Sequence, residues 1–286
     1  MRNLKKFSLL FALLLVTAAT AAAQDGASKY AKLGANKIHY KSYGKGKDAL
    51  VLVHCWTCNL ELWRDQIPEF SKRARVVALD LPGHGLSDKP QTTYSMDFFA
   101  DAVDAVLKDA GVEHAVLVGH SMGTPVVRQF YRKYPQKTLA LVIVDGAIRP
   151  FGTKEQREQF TAPLRGPNYK EAGAQMFAAM SSTLSDADKL RVQTSFATTP
   201  QYVLVSSMDA MGDDAIYAPD KINVPVLAIL AKSPFWAADT EQYLHGLAPD
   251  LEYQMWEGVS HFLFMDRPKE FDAAVISFLD KKKLLK

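Results

Sequence analysis

The segment Gly119-His120-Ser121-Met122-Gly123 constrains this chain more than any other. An apolar run at 115–118 precedes it and a stretch of helical character at 124–134 follows it, so the pattern is strand, sharp turn, helix. A turn this tight brings backbone against backbone, and the two glycines remove Cβ atoms that would clash. Ser121 then lies at the head of a helix, where free N–H groups and the helix dipole favour negative charge. We call residues 119–123 the serine turn.

Apolar runs that are typical of strands buried on both faces alternate with segments of helical spacing. The predicted strands are 37–43, 49–53, 75–79, 115–118, 139–144, 224–230 and 251–256. The predicted helices are 60–71, 95–110, 124–134, 241–247 and 269–282. A hairpin turn is expected at 44–46, where two glycines flank Lys45. This alternation predicts an α/β fold with a mostly parallel, doubly wound sheet covered by helices on both faces.

One region interrupts the alternation. Residues 149–223 contain no strong strand run. They contain four helical patterns instead, at 155–160, 169–182, 186–196 and 201–211. An insertion of this length between two sheet strands predicts a helical lid over a site at the end of the sheet.

The first 23 residues are interpreted as a secretory signal peptide. Arg2, Lys5 and Lys6 form a basic start, 7–16 an apolar core, and the alanines at 21–23 a cleavage site. A retained membrane anchor is the alternative, although the apolar core is short for a span of about 20 residues. Cleavage leaves one domain, 24–286, and a periplasmic or secreted protein.

Cleavage also changes the charge balance. It removes three of the 34 Lys and Arg residues, and the remainder equals the 31 Asp and Glu residues. A chain without excess positive charge has no electrostatic basis for binding nucleic acid. We therefore expect a small-molecule substrate, no nucleic-acid partner and no membrane association after cleavage. The oligomeric state stays open.

The only two cysteines, Cys55 and Cys58, form a Cys-x-x-Cys pattern in a predicted loop. A redox motif and a zinc site that includes His54 are both conceivable, but no thioredoxin-like unit and no fourth metal ligand accompany the pair. A structural disulfide or two unpaired thiols are favoured. No metal and no cofactor are expected.

A nucleophilic serine needs a base, and His261 is the candidate. It follows the last predicted strand, and the carboxyl ends of parallel strands meet at one edge of a sheet, so it is expected near Ser121. The other six histidines lie in strands, a short helix or loops, where structural roles are more usual. The oxyanion hole is expected from the Met122 N–H and from the loop after residue 53, with Trp56 as the second donor.

The carboxylate that orients the base is harder to place. Asp145 directly follows the predicted strand 139–144. The loop after Leu230, at the end of the next strand, has no acid before Asp239. Both carboxylates precede the histidine in the chain, and position alone leaves both open.

The serine turn, the stretches at 54–56 and 80–88, and the segment 258–271 around His261 resemble the α/β-hydrolases of the alpha/beta-hydrolase-1 type. These include esterases, cofactor-free haloperoxidases, lactonases and carbon–carbon hydrolases. The resemblance covers essentially the whole chain after the signal peptide. Members with aspartate in place of Ser121 are dehalogenases and epoxide hydrolases, so the resemblance disfavours those activities.

Two departures from the family pattern matter. Cys55 occupies a position where the family usually has glycine, which could reshape the oxyanion loop. The loop after Leu230 lacks the usual Gly-x-x-Asp. Some members of the superfamily carry the acid one strand earlier, where Asp145 stands, and this resemblance favours Asp145 over Asp239 as the third member of a Ser121–His261–Asp145 triad.

The expected activity is that of a carboxylesterase-like serine hydrolase acting on a small to medium uncharged ester. Its substrate pocket is expected to include Trp236, Phe262, Met176 and Met180. The alternatives are lactone, carbon–carbon or perhydrolase chemistry on the same triad. A non-catalytic, hydrolase-like binding protein is a further alternative, motivated by the altered loops at Cys55 and Ser233.

Overall fold

A computed structural model describes residues 26–150 and 152–285. It contains one eight-stranded sheet. The strands are β1 (Ser28–Leu33), β2 (Asn36–Tyr43), β3 (Asp48–Val53), β4 (Arg75–Leu79), β5 (His114–His120), β6 (Thr138–Val144), β7 (Val226–Ala231) and β8 (Leu251–Trp256). Their order across the sheet is β1-β2-β4-β3-β5-β6-β7-β8. The signal-peptide prediction for 1–23 lies outside the described residues.

Only β2 runs against the other seven strands of this sheet. β1 pairs antiparallel with β2, and β2 pairs antiparallel with β4, whereas β4, β3, β5, β6, β7 and β8 are mutually parallel. The central strands are almost wholly buried, as expected for strands covered by helices on both faces. The predicted fold class, a mostly parallel sheet with flanking helices, is confirmed.

Ten α-helices accompany this sheet in the described part of the chain. They are α1 (Ile67–Arg73), α2 (Met96–Ala110), α3 (Gly123–Lys133), α4 (Lys154–Thr161), α5 (Tyr169–Met180), α6 (Asp186–Ala197), α7 (Gln201–Met211), α8 (Thr240–Leu247), α9 (Leu263–Asp266) and α10 (Pro268–Lys281). Local chemistry sets their ends. The Ser95 side chain accepts a hydrogen bond from the Phe98 N–H at the start of α2, and Gly111 ends that helix with φ +66°. None of the helices in these ranges has the length and apolar character needed to cross a membrane.

Helices α4 to α7 lie between β6 and β7, where the sequence predicts an insertion. We call them the helical insert. Short 3₁₀ turns follow α4, at Ala162–Arg165, and α7, at Asp214–Tyr217. That the insert acts as a lid stays a prediction.

The predicted helix at 60–71 is two elements. A 3₁₀ turn, Leu60–Trp63, is followed by α1, and Pro68 lies in the first turn of α1. Proline has no N–H for an i→i−4 bond, and its ring clashes with the preceding turn. It therefore starts a new helix here and does not continue the old one.

The hairpin predicted at 44–46 is wrong. Strand β2 pairs with β1 and β4, and the chain after it crosses to β3. The hairpin lies earlier, where Gly34, with φ +59°, and Ala35 join β1 to β2. Strand β1 was not predicted, because it is a mostly exposed edge strand without an apolar run.

Candidate active site

The serine turn joins the end of β5 to the start of α3. Ser121 has φ +53°, a left-handed conformation that non-glycine residues rarely adopt. A Cβ on Gly119 would lie 2.4 Å from the Gly123 carbonyl oxygen, and a Cβ on Gly123 would lie 2.5 Å from the Val53 carbonyl oxygen. Both glycines are therefore required by close backbone approach, and the turn packs directly against the end of β3.

His261 and Asp145 are in contact. His261 Nδ1 lies 2.6 Å from Asp145 Oδ2, and Asp145 Oδ1 accepts the Ala231 N–H at 2.8 Å. Asp145 has φ +42° directly after β6, and its side chain is largely buried. Both carboxylate oxygens thus have hydrogen-bond partners, which fixes the orientation of the group.

Asp239 lies elsewhere. Its exposed carboxylate forms an ion pair with Arg149, with hydrogen bonds of 2.5 and 3.1 Å, and this pair lowers the pKa of Asp239. Of the two carboxylates that the sequence left open, the structure brings Asp145 to His261.

The backbone of His261 is held on both sides. Its N–H donates to the Met180 carbonyl at the end of α5 (3.1 Å), and its carbonyl accepts from His120 Nε2 (2.8 Å). Burial and the nearby His261 keep the pKa of His120 well below its usual range. A neutral His120 with its proton on Nε2 suits this contact, since a carbonyl oxygen only accepts. The sequence placed His120 in the turn but gave no signal for the contact.

A cavity of about 720 Å³ lies over this pair. Eight of the predicted site residues line it: Trp56, Ser121, Met122, Asp145, Met176, Met180, Trp236 and His261. Phe262 is different. It is fully buried, with its ring 5.2 Å from that of His120, and so belongs to the core beneath the site.

The insert supplies cavity residues that the sequence did not indicate. Arg157 and Tyr217 line the wall, and Arg157 Nη2 pairs with Asp214 Oδ1 at 2.7 Å. Burial raises the pKa of Tyr217 to about 12, so its hydroxyl is protonated at neutral pH. Phe160 and Phe235 also line the cavity, and about half of each side chain is exposed. Phe235 lies in the loop after β7. The places of the other three residues depend on how the insert and the turn after it pack, which no local pattern reveals.

The loop after β3 carries a disulfide between Cys55 and Cys58. The Trp56 ring stacks on Phe177 of α5 at 5.8 Å, and its Nε1 donates to the Leu204 carbonyl of α7 at 3.0 Å. Of the outcomes that the sequence left open for the cysteines, the structure shows the disulfide. This loop therefore connects the sheet, the cavity and the helical insert.

The sheet, the serine turn and the histidine at the end of the last strand together define a recognisable arrangement. The alpha/beta hydrolase fold family matches residues 48–268, which run from β3 into α10. The chain belongs to this family of hydrolases. The match contains the serine turn, both candidate carboxylates and His261.

Two relatives are similar along most of this hydrolase's length. The 2-(acetamidomethylene)succinate hydrolase of Mesorhizobium japonicum is 24% identical over 283 residues, covering 92% of this chain and 99% of that protein. The solved structure of an N-acyl homoserine lactone degrading enzyme is 26% identical, with a TM-score of 0.75, covering 87% of this chain and all of that one.

An esterase from Exiguobacterium antarcticum has a similar solved structure, with a TM-score of 0.77 over 89% of this chain and 100% of that chain. At 18% identity this likeness concerns the fold. The relatives thus share one architecture while their names describe different reactions.

Proposed function

We propose that this hydrolase is a carboxylesterase-like enzyme that uses Ser121, His261 and Asp145 on small to medium uncharged esters. The observation that carries the proposal is the 2.6 Å contact between His261 Nδ1 and Asp145 Oδ2 at the cavity that Ser121 also lines. Asp145 holds the proton of His261 on Nδ1. The Nε2 lone pair is then available to the serine hydroxyl.

The reaction follows from these positions. His261 Nε2 takes the proton of Ser121 while Oγ attacks the ester carbonyl carbon. As the tetrahedral intermediate collapses, the carbon–oxygen bond to the alcohol breaks and His261 returns the proton to that oxygen. Water then enters, gives a proton to His261 and attacks the acyl-enzyme. The acid leaves and Ser121 regains its proton.

Two backbone donors are proposed to stabilise the negative oxygen of each intermediate. The Met122 N–H lies at the start of α3, where the helix dipole favours negative charge. The Trp56 N–H belongs to the loop that packs beside the serine turn, since a Cβ on Gly123 would touch the carbonyl groups of Val53 and His54. Both Trp56 and Met122 line the cavity.

The substrate class follows from the cavity wall. Met176, Met180, Phe177 and Trp236 give it an apolar lining, and methionine side chains adapt to differently shaped ligands. Its two cationic residues, Arg157 and Lys232, pair with Asp214 and Glu257. A neutral acyl group therefore fits better than an anionic one.

Labelling with a fluorophosphonate tests the nucleophile. The wild type is expected to be modified at Ser121 and to hydrolyse p-nitrophenyl esters, while Ser121→Ala keeps the fold and loses both properties. If Ser121→Ala retains full esterase activity, the proposal is wrong. If the wild type is neither labelled nor active, the site is a binding site without catalysis.

A lactone is the second candidate substrate. The relative named as an N-acyl homoserine lactone degrading enzyme covers 87% of this chain. A lactone is a cyclic ester, so its carbonyl reacts by the same steps, and the released alcohol stays part of the acyl group on Ser121. Comparing kcat/KM for a γ-lactone and an open-chain ester with the same acyl group decides between them. A higher value for the lactone would replace our assignment.

We also propose that the mature enzyme works in the periplasm or outside the cell. The signal-like sequence at 1–23 and the Cys55–Cys58 disulfide both support an exported protein, because disulfides persist in oxidising compartments. Mass spectrometry of the protein from its native host tests this. A mature chain that begins near Gln24 is expected, and a full-length chain in the cytosol would contradict it.

A further inference from the structure

The disulfide closes a β-turn. The Cys58 N–H donates to the Cys55 carbonyl at 3.1 Å, and the Cα atoms of the two cysteines are 5.1 Å apart. Trp56 and Thr57 occupy the centre of this turn. Thr57 has φ +56°, and at the third position of a turn such a value favours glycine or asparagine. A β-branched residue there is strained, so something else must hold the turn in place.

The turn also sets the direction of one N–H group. The Cys55 carbonyl accepts from the Cys58 N–H and from His54 Nδ1, at 2.7 Å. Burial lowers the pKa of His54, and its Nε2 accepts the Leu81 N–H at 2.9 Å, which leaves the proton on Nδ1. In a trans peptide the N–H points opposite to the preceding carbonyl. Fixing the Cys55 carbonyl therefore fixes the direction of the Trp56 N–H.

The same turn anchors the insert. The Thr57 carbonyl accepts from Ser195 Oγ of α6 at 3.1 Å, and the Trp56 ring packs against Phe177 and Phe196. Cys55 is buried but lines the cavity, whereas Cys58 lies in the core. A change in the conformation of this turn would therefore move the proposed oxyanion donor, the Trp56 N–H, directly.

We propose that the Cys55–Cys58 disulfide is a positioning element that holds the Trp56 N–H where the oxyanion forms. The inference rests on the proposed function of Ser121. In this chain the cross-link keeps a strained turn in one conformation at a position where a glycine is usual in the family that the sequence resembles. Losing it lowers the rate of the chemical step and leaves substrate binding nearly unchanged, because the donor acts on charge that appears in the transition state.

The double variant Cys55→Ala/Cys58→Ala tests this with a neutral ester such as p-nitrophenyl butyrate. Removing one oxyanion donor outright costs about 10²- to 10³-fold in kcat, so a misplaced donor is expected to cost about 10- to 100-fold, with KM changed less than about threefold. Affinity for an alkylboronic acid, whose tetrahedral adduct presents an oxygen to the same donors, is expected to fall with kcat/KM. Circular dichroism confirms that the variant is folded.

A rescue variant separates positioning from general loosening. Adding Thr57→Gly to the double variant removes the strain at φ +56° and is expected to restore about half or more of the lost kcat on a logarithmic scale.

Reduction of the disulfide in the wild type gives a parallel test. Dithiothreitol breaks the S–S bond, both cysteines gain a proton, and the dithiol becomes a cyclic disulfide.

Reduced wild type, verified by alkylation of two thiols after denaturation, is expected to match the double variant and to recover on reoxidation. Dithiothreitol leaves the double variant unchanged. The inference is overturned if the folded double variant keeps kcat within about twofold, or if kcat and KM change together so that the loss is not in the chemical step. An oxidised wild type without esterase activity or Ser121 labelling instead overturns the proposed function.

Discussion

At the scale of single residues, Asp145 carries two demands at once. Its backbone is left-handed at φ +42°, and in the proposed triad its carboxylate holds His261 in one tautomer. Asparagine tolerates the same backbone conformation but is neutral and offers an amide to the histidine. Asp145→Asn is therefore expected to fold normally and to lose about 10³- to 10⁴-fold in kcat, measured on p-nitrophenyl esters.

Asp239→Asn is the matched control. That carboxylate lies at the surface with Arg149, and its loss is expected to change kcat by less than about twofold. The reverse result, with activity lost only in Asp239→Asn, would mean that the acid is in the later loop and that the contact described for Asp145 is structural.

At the scale of elements, helix α5 shapes the cavity. It presents Met176 and Met180 to the cavity. Replacing Met176 by tryptophan fills part of the space, so kcat/KM for an octanoate ester is expected to fall about tenfold more than for an acetate ester. A chain-length series of p-nitrophenyl esters measures this ratio.

Leu190→Trp on α6 serves as the control for adding an indole to the insert, because that side chain is 63% exposed. It is expected to leave the chain-length profile unchanged. Equal losses for short and long esters in Met176→Trp would show that the acyl chain does not lie along α5.

Elements and site were predictable to different degrees. The strands from 49–53 onward, the serine turn and the position of His261 follow from apolar runs and glycine spacing, which are local. Strand β1, the break at Pro68 and the contacts of His120 depend on packing between distant segments, which a pattern does not encode. The case of Asp145 is intermediate, since its place at a strand end is readable but its distance to His261 is not. The cavity residues Arg157 and Tyr217 were missed for the same reason, because the fold of the insert brings them to the wall.

At the scale of the whole molecule, Asp272 couples stability to pH. It is buried on α10, and its Oδ1 has no hydrogen-bond partner among the described residues. Burial raises the pKa of Asp272 to about 7, and Glu69 and Asp65 add to the effect. The unfolded carboxyl loses its proton near pH 4, so between about pH 4 and 7 only the folded state keeps it, and stability falls as the pH rises through that window.

Asp272→Asn removes the ionisable carboxyl group and with it this loss of folding stability at higher pH. The variant is expected to be more stable than the wild type by about 1–3 kcal/mol at about pH 8, with the difference shrinking toward pH 4, as measured by urea unfolding. Asp280→Asn on the same helix provides the comparison, because its exposed carboxylate pairs with Arg73 and should give no gain at high pH. A pH-independent difference for Asp272→Asn would show that the carboxyl ionises normally in the folded protein.

The proposed base, His261, is held by two parts of the molecule. Its N–H is tied to Met180 of the insert and its carbonyl to His120 of the core. An opening motion that lifted the end of α5 would break the hydrogen bond from the His261 N–H to Met180. Substrate entry by such a motion would therefore disturb the position of His261. Under the proposed mechanism, substrate and product would pass by a route that leaves the end of α5 in place. The half-exposed rings of Phe160 and Phe235 mark a place where the cavity wall meets solvent. A route past these two rings would leave the contact between α5 and His261 unbroken.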